Sequence, residues 1–303
     1  MKKITYIIAL ILTIASCEKE VNVPIEYTEP KLVINALFNT DSLWNIEVSE
    51  SQYIYDTITL PLIDNAEVSI TDSDNNTITL INQGDGIYTS TSEKPVIGKE
   101  YTLNVSHSVH QSVTAKSKLP DELIINSIDW DNPVYIDGEL YRKINVSFKD
   151  TPEDDYYLIT LSGNFYLIEK DEFGNMDTIV ENYAVYFSTQ NAAVDNPNDY
   201  MYQSSISFTD GLFNGNDYTI DLLISDYYFE SEEGEEKLGG TQKIFINFSR
   251  VSQEYYWYET SYQAYLSSQW SFAQPVQVYT NIENGLGVFA GFSTVMDSIN
   301  VQN

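Results

Sequence analysis

Few residue types in this sequence can do chemistry at neutral pH. It holds two histidines, His107 and His110, one cysteine, Cys17, and 45 Asp+Glu against 15 Lys+Arg, for a formal charge of −30. The histidines lie three apart in a segment that reads as strand, where an odd spacing sends side chains to opposite faces. One strand therefore does not offer both to a metal. A lone cysteine excludes an internal disulfide and a Cys-cluster metal site. The serine elbow, the H-E-x-x-H helix and the C-x-x-C pair are missing from the sequence. Glycoside hydrolysis needs only two carboxylates at the right separation, and with so many acids the sequence neither supports nor excludes it. No catalytic residue is assigned.

Calcium is the metal these acids suit best, because it takes carboxylate and carbonyl oxygens without rigid spacing. Asp72-Ser-Asp74-Asn-Asn76 and Asp150-Thr-Pro-Glu153-Asp154-Asp155 contain such oxygens. Neither completes an EF-hand loop, and solvated turns explain both. No metal ligand and no cofactor is assigned. Gly285-Leu-Gly-Val-Phe-Ala-Gly291 superficially matches a dinucleotide-binding loop. Its spacing is G-x-G-x-x-x-G, and strand-forming residues follow where a helix N-terminus would have to face the pyrophosphate. A tight turn and close backbone packing are the expectation for these glycines. The acidic balance also makes nucleic acid a poor partner, since there is no basic surface to displace its counterions.

Aromatic residues are the other resource, with 24 Tyr, 13 Phe and 4 Trp. Between Val251 and Gln269 the positions Val251, Tyr255, Tyr258, Tyr262 and Leu266 recur at helical spacing, and Ser252 precedes them as an N-cap. This predicts one amphipathic helix near 252–268 whose tyrosine stripe packs on a sheet. Tyr256 and Trp257 flank the stripe, and Trp270 follows the helix end. These three form a candidate binding face, since amphipathic rings suit sugar and protein contacts.

The elements that must position these groups are strands. Lys31–Phe38, Ala66–Ile70, Thr77–Ile81 and Tyr101–Val105 alternate apolar and polar residues, and Asp72–Asn76 and Asn82–Gly86 are turn chemistry. Longer strands follow at 142–149, 156–170, 178–188, 218–228 and 242–250. The predicted fold is mostly β: an Ig-like or regulatory-like β-sandwich over 30–119, then a larger β domain over 120–303 carrying the late helix. The boundary is placed at Leu119-Pro120-Asp121.

The N-terminus is an address. Lys2 and Lys3 precede an apolar run from Ile4 to Ala15, too short to span a bilayer, which needs roughly 20 residues. The run ends in Ile14-Ala15-Ser16-Cys17, which resembles the lipobox of bacterial lipoproteins. Residues 1–16 are then a signal peptide, Cys17 the lipidated residue, and 17–29 a tether. Glu18, Lys19 and Glu20 behind it resemble the surface-export signal of Bacteroidota lipoproteins. The expected location is the outer membrane, lipid-anchored and facing the cell surface, with the inner leaflet of that membrane as the alternative.

The lipobox, the Pro30–Ile34 strand, the Ig-like first module, the late aromatic helix and the closing Pro275–Gly291 segment occur in one order. Together they resemble the Bacteroidota lipoprotein family called domain of unknown function 4249. The resemblance implies a place beside a TonB-dependent outer-membrane transporter and an accessory, non-enzymatic role in capture or uptake. It brings no catalytic residues. A stand-alone adhesin or glycan-binding module is the alternative.

Overall fold

The structure, a computed structural model, describes residues 28–53, 59–170, 176–194, 203–229, 238–269 and 276–301. The leader, Cys17 and Trp270 lie outside the described residues, as does most of the tether.

Sixteen strands and one helix are present among the described residues. The first half contains β1 (Leu32–Phe38), β2 (Asn45–Glu50), β3 (Glu67–Asp72), β4 (Thr77–Thr79), β5 (Ile81–Gly84), β6 (Ile87–Thr89), β7 (Glu100–Ser106) and β8 (Val113–Lys118). The second contains β9 (Ile124–Ile136), β10 (Glu139–Lys149), β11 (Tyr156–Lys170), β12 (Met176–Val185), β13 (Ser205–Thr209), β14 (Asp217–Ser225), β15 (Leu238–Val251) and β16 (Leu286–Asn300). The helix, α1, spans Gln253–Ser268. The protein is mostly β, with its helix late in the chain, as the periodicities require.

Alternation becomes burial strand by strand. In β1, Leu32, Ile34, Ala36 and Phe38 are buried while the residues between them are not. They meet Val68 and Ile70 of β3 and Leu103 and Val105 of β7 in a first core. Aromatic rings close its centre: Trp44 lies 4.8 Å from both Phe38 and Tyr101, and Phe289 of β16 lies 4.8 Å from Phe38. Tilted and edge-on ring pairs of this kind add about 0.5–1.5 kcal/mol each beyond the area they bury. The second core collects Phe148, Tyr157, Phe208, Phe213 and Phe248 with Ile144, Ile159, Leu222 and Ile246. Leu119 belongs to the first core and Leu123 to the second, so the chain crosses between them around Pro120.

The last strand joins the two sandwiches. Residues 286–291 of β16 pair in parallel with β1, and residues 292–300 pair antiparallel with β15. One long sheet results, in the order β12-β11-β15-β16-β1-β2-β6-β5, with β13 also paired to β11. A sheet β4-β3-β7-β8 accompanies its first half and a sheet β14-β10-β9 its second. Phe289 thus fills the first core while Val295 and Ile299 pack on the second. A segment expected in the second unit completes the first.

The strands do not all follow the expected ranges. The strand expected at 218–228 ends at Ser225, because Asp226–Phe229 winds into a 3-10 turn. β2, β8, β9 and β13 are strands that the pattern did not single out. In β9, Pro133 and a mostly exposed face leave little alternation to read.

α1 forms where expected. Ser252 caps it, its hydroxyl accepting the Tyr255 N–H at 3.4 Å, and Glu254 sits in the first turn, where the helix dipole favours an acid. The stripe, however, is not buried as a unit. Tyr255 is half-buried with its ring 5.7 Å from that of Phe292, and Tyr258 is half-buried. Tyr262 and Leu266 are 37% and 36% exposed. Exposure rises along the helix, so only its first turns are half-buried.

Candidate ligand-binding site

β10 and β14 pair antiparallel from Tyr141↔Ser225 to Lys149↔Asp217. An 11-residue strand at about 3.3 Å per residue separates its two ends by about 33 Å, and each end gathers a distinct group of side chains.

At the Glu139 end lies a cleft of about 700 Å³, lined by Glu139, Leu140, Tyr186, Ser225, Asp226, Tyr227 and Tyr228. That volume falls in the range of small-molecule sites. Three separate elements build it. The β9–β10 hairpin turns through Asp137 and Gly138, both at positive φ, and so delivers Glu139 and Leu140 to the rim. The residue after β12 contributes Tyr186, and the 3-10 turn contributes Asp226, Tyr227 and Tyr228. The turn is held from several sides. Arg142 Nε donates to Asp226 Oδ1 at 2.7 Å, and the guanidinium lies 4.3 Å from the Phe229 ring centre. The Tyr186 N–H donates to the Tyr228 hydroxyl at 3.2 Å. The Tyr228 ring stacks on Tyr183 at 5.8 Å and stands edge-on to Tyr227 at 6.2 Å. Tyr227 and Tyr186 nevertheless remain 72% and 46% exposed. The result is a corner in which the Tyr228 ring is held while Tyr227 and Tyr186 stay open to solvent. No sequence spacing announces it; the signal in the sequence was only the pair Tyr227-Tyr228 at a strand end.

The other end of the strand pair holds a buried acidic cluster. Asp150, Asp155 and Asp210 are buried, and each offers a carboxylate oxygen within 4.8 Å of the others. Protein donors already engage them. The Tyr157 hydroxyl and the Gly215 N–H serve Asp150, the Thr151 hydroxyl serves Asp155, and the Asp155 N–H serves Asp210. Arg250, itself buried, places Nε 3.3 Å from Asp155 Oδ1 as an ion pair without an aligned hydrogen bond. Burial raises the pKa of Asp155 against the pull of Thr151 and Arg250. Burial also raises that of Asp210, with Asp150, Asp155 and Asp154 adding to the rise. Tyr157 is pushed up by burial and by its bond to Asp150. The cluster ties strand ends together, which suits a structural clasp better than an open metal site.

The residues weighed from the sequence are placed as follows. His107 and His110 do not sit in a strand: β7 stops at Ser106, where the alternation stops, and both belong to the following turn. Their rings stack at 4.9 Å rather than facing apart. Each has a separate partner, Asn65 Oδ1 at 3.0 Å from His107 and Glu50 Oε2 at 2.9 Å from His110. The Asp72–Asn76 turn already holds a cation, because Lys99 Nζ lies 2.7 Å from Asp72 and 2.8 Å from Asp74. That contact, with the Asn76 side chain, holds the Asp72 carboxyl well below the usual range. Of the Asp150–Asp155 segment, Asp150 and Asp155 enter the buried cluster, while Glu153 turns outward to Lys118 at 3.1 Å.

The glycine segment serves packing. Gly287 has φ +97 and an added Cβ would lie 2.0 Å from the Ile34 carbonyl oxygen, so only glycine lets β16 approach β1 there. In the aromatic face, Tyr256 packs on Tyr156 at 5.2 Å, and Trp257, 42% exposed, stands edge-on to Tyr279 at 5.3 Å. Neither lies in the tyrosine cleft.

No curated protein matches the sequence. Among solved structures, the chain is similar to a native alfa-L-rhamnosidase from Aspergillus terreus at 12% identity and a TM-score of 0.34. The alignment covers 73% of this chain but 27% of that enzyme, so it spans about a quarter of the enzyme's length and is too slight to carry an activity across. The family described as a domain of unknown function (DUF4249) matches residues 18–298, nearly the entire chain, and the protein belongs to that family.

Proposed function

We propose that this protein is a lipid-anchored, non-enzymatic binding component of the bacterial outer membrane, accessory to a TonB-dependent transporter. The observation that carries the binding role is the tyrosine cleft, where Arg142 and Tyr183 hold the turn that carries Tyr227 and Tyr228. A turn held in place loses little freedom when a ligand covers it, which favours binding. The anchor rests on Cys17 and the apolar run before it, and the transporter on the family resemblance. The buried acids support a non-enzymatic role, because their oxygens are engaged by the protein's own donors.

Recovering the native lipoprotein from outer membranes tests the role: a TonB-dependent transporter should co-purify. Repeated recovery without one would overturn the accessory role and leave the stand-alone glycan-binding or adhesin reading, which the same cleft favours. Anchoring has its own test. Cys17→Ser should release the protein from membranes, since no described helix is long and apolar enough to cross one. A variant that still sediments with membranes in high salt would refute the anchor.

A further inference from the structure

We propose that the tyrosine cleft binds a neutral saccharide. This rests on the binding role proposed above and names its ligand class. Three features of the cleft point there. Tyr227 and Tyr186 both line the cleft and stay largely exposed, and aromatic rings are surfaces that the C–H faces of a pyranose ring cover well. Ser225, Tyr228, Glu139 and Asp226 line the same cleft and carry hydroxyl and carboxylate groups suited to the hydroxyl groups of a sugar. The charge of Asp226 is already matched by Arg142, whose guanidinium also covers Phe229.

The competing ligand charges fit less well. An anion would meet two carboxylates on a chain of formal charge −30. A cation would find both carboxylates already engaged, Asp226 by Arg142 at 2.7 Å and Glu139 by the Tyr141 hydroxyl at 3.3 Å. A neutral polyol meets neither cost, and it uses the rings and the oxygens together. The cleft volume of about 700 Å³ leaves room for more than a single small ion.

The test is calorimetry on the full lipoprotein in a detergent without a sugar headgroup. The probes are neutral gluco-, manno-, xylo- and galacto-oligosaccharides, with tetramethylammonium and a lysine-rich peptide as cationic probes. At least one saccharide should bind, and Tyr227→Ala and Tyr186→Ala should each weaken it by about tenfold or more. Melting temperature should be unchanged in both, because the rings are exposed. The proposal is overturned if no saccharide in the panel binds, or if affinity survives both ring substitutions. It is also overturned if only the cationic probes bind and Glu139→Gln abolishes their binding. Failure here with a co-purifying transporter would remove the ligand class and leave the uptake role. Saccharide binding without a transporter would do the reverse.

Discussion

Replacing Asp210 with Asn tests the reading of the buried acids as a clasp. Asp210 is 4% exposed, and its neighbours Asp150 and Asp155 place carboxylate oxygens within 4.8 Å. Two unit charges at 4.8 Å repel by about 3 kcal/mol at an effective dielectric constant of about 20. Arg250 offsets part of the Asp155 charge, so the net gain from removing one charge is about 1–3 kcal/mol. Asparagine keeps an oxygen that can accept the Asp155 N–H, so the hydrogen bond at 3.0 Å is retained. The variant should therefore melt higher at neutral pH, by roughly 2–10 °C.

The pH dependence follows from the direction of the shift. The folded-state pKa of Asp210 lies above its unfolded value, so its ionisation costs stability. That cost is absent below the unfolded pKa and grows as pH rises through the folded pKa. The advantage of Asp210→Asn should accordingly shrink as pH falls toward about 4. Relief of overall acidic self-repulsion affects both proteins and largely cancels in the comparison. Differential scanning calorimetry across this range is the assay. A lower melting temperature at pH 7, or a gap independent of pH, would refute the reasoning. Calcium that raises the melting temperature of the parent but not of the variant would mean that the carboxylate charge holds a cation.

Gly287→Ala should cost more than about 3 kcal/mol in chemical denaturation, because its Cβ meets the Ile34 carbonyl. Gly84→Ala, at φ +95 with open space around it, should cost only about 1 kcal/mol. Tyr255→Ala should lower stability by about 1–3 kcal/mol through its contact with Phe292, whereas Tyr262→Ala should cost under about 1 kcal/mol. Burial, with Glu259 and Tyr258 nearby, also pushes the Tyr255 pKa up to about 12, so spectrophotometric titration should find that tyrosine ionising late.

What the sequence revealed was local. Alternation in Leu32–Phe38 or Tyr101–Val105 is set by the strand's own twofold period, so each segment carries its evidence of burial within itself. The cap at Ser252 and the helix after it are local for the same reason: a hydroxyl, a nearby N–H and a helical period. The glycines of 285–291 were legible as close-packing residues because a missing Cβ has only a few uses. The turn holding His107 and His110 was misread because two polar residues carry no burial pattern to distinguish a strand from a bend.

Pairing and assembly were decided only in three dimensions. β1 and β16 lie side by side in parallel although some 250 residues of chain separate them, and no local period specifies a partner that distant. The same holds for the extent of helix burial, which leaves Tyr262 and Leu266 exposed although they share the stripe of Tyr255. The cleft joins Glu139, Tyr186 and Asp226–Tyr228, and the clasp joins Asp150, Asp155, Asp210 and Arg250. Each set comes from different strand ends, brought together by antiparallel registers that place distant residues at the same edge. The composition fixed an acidic, aromatic, β-forming chain; only the register of β10 against β14 and the ending of β14 at Ser225 determined which tyrosines face solvent together.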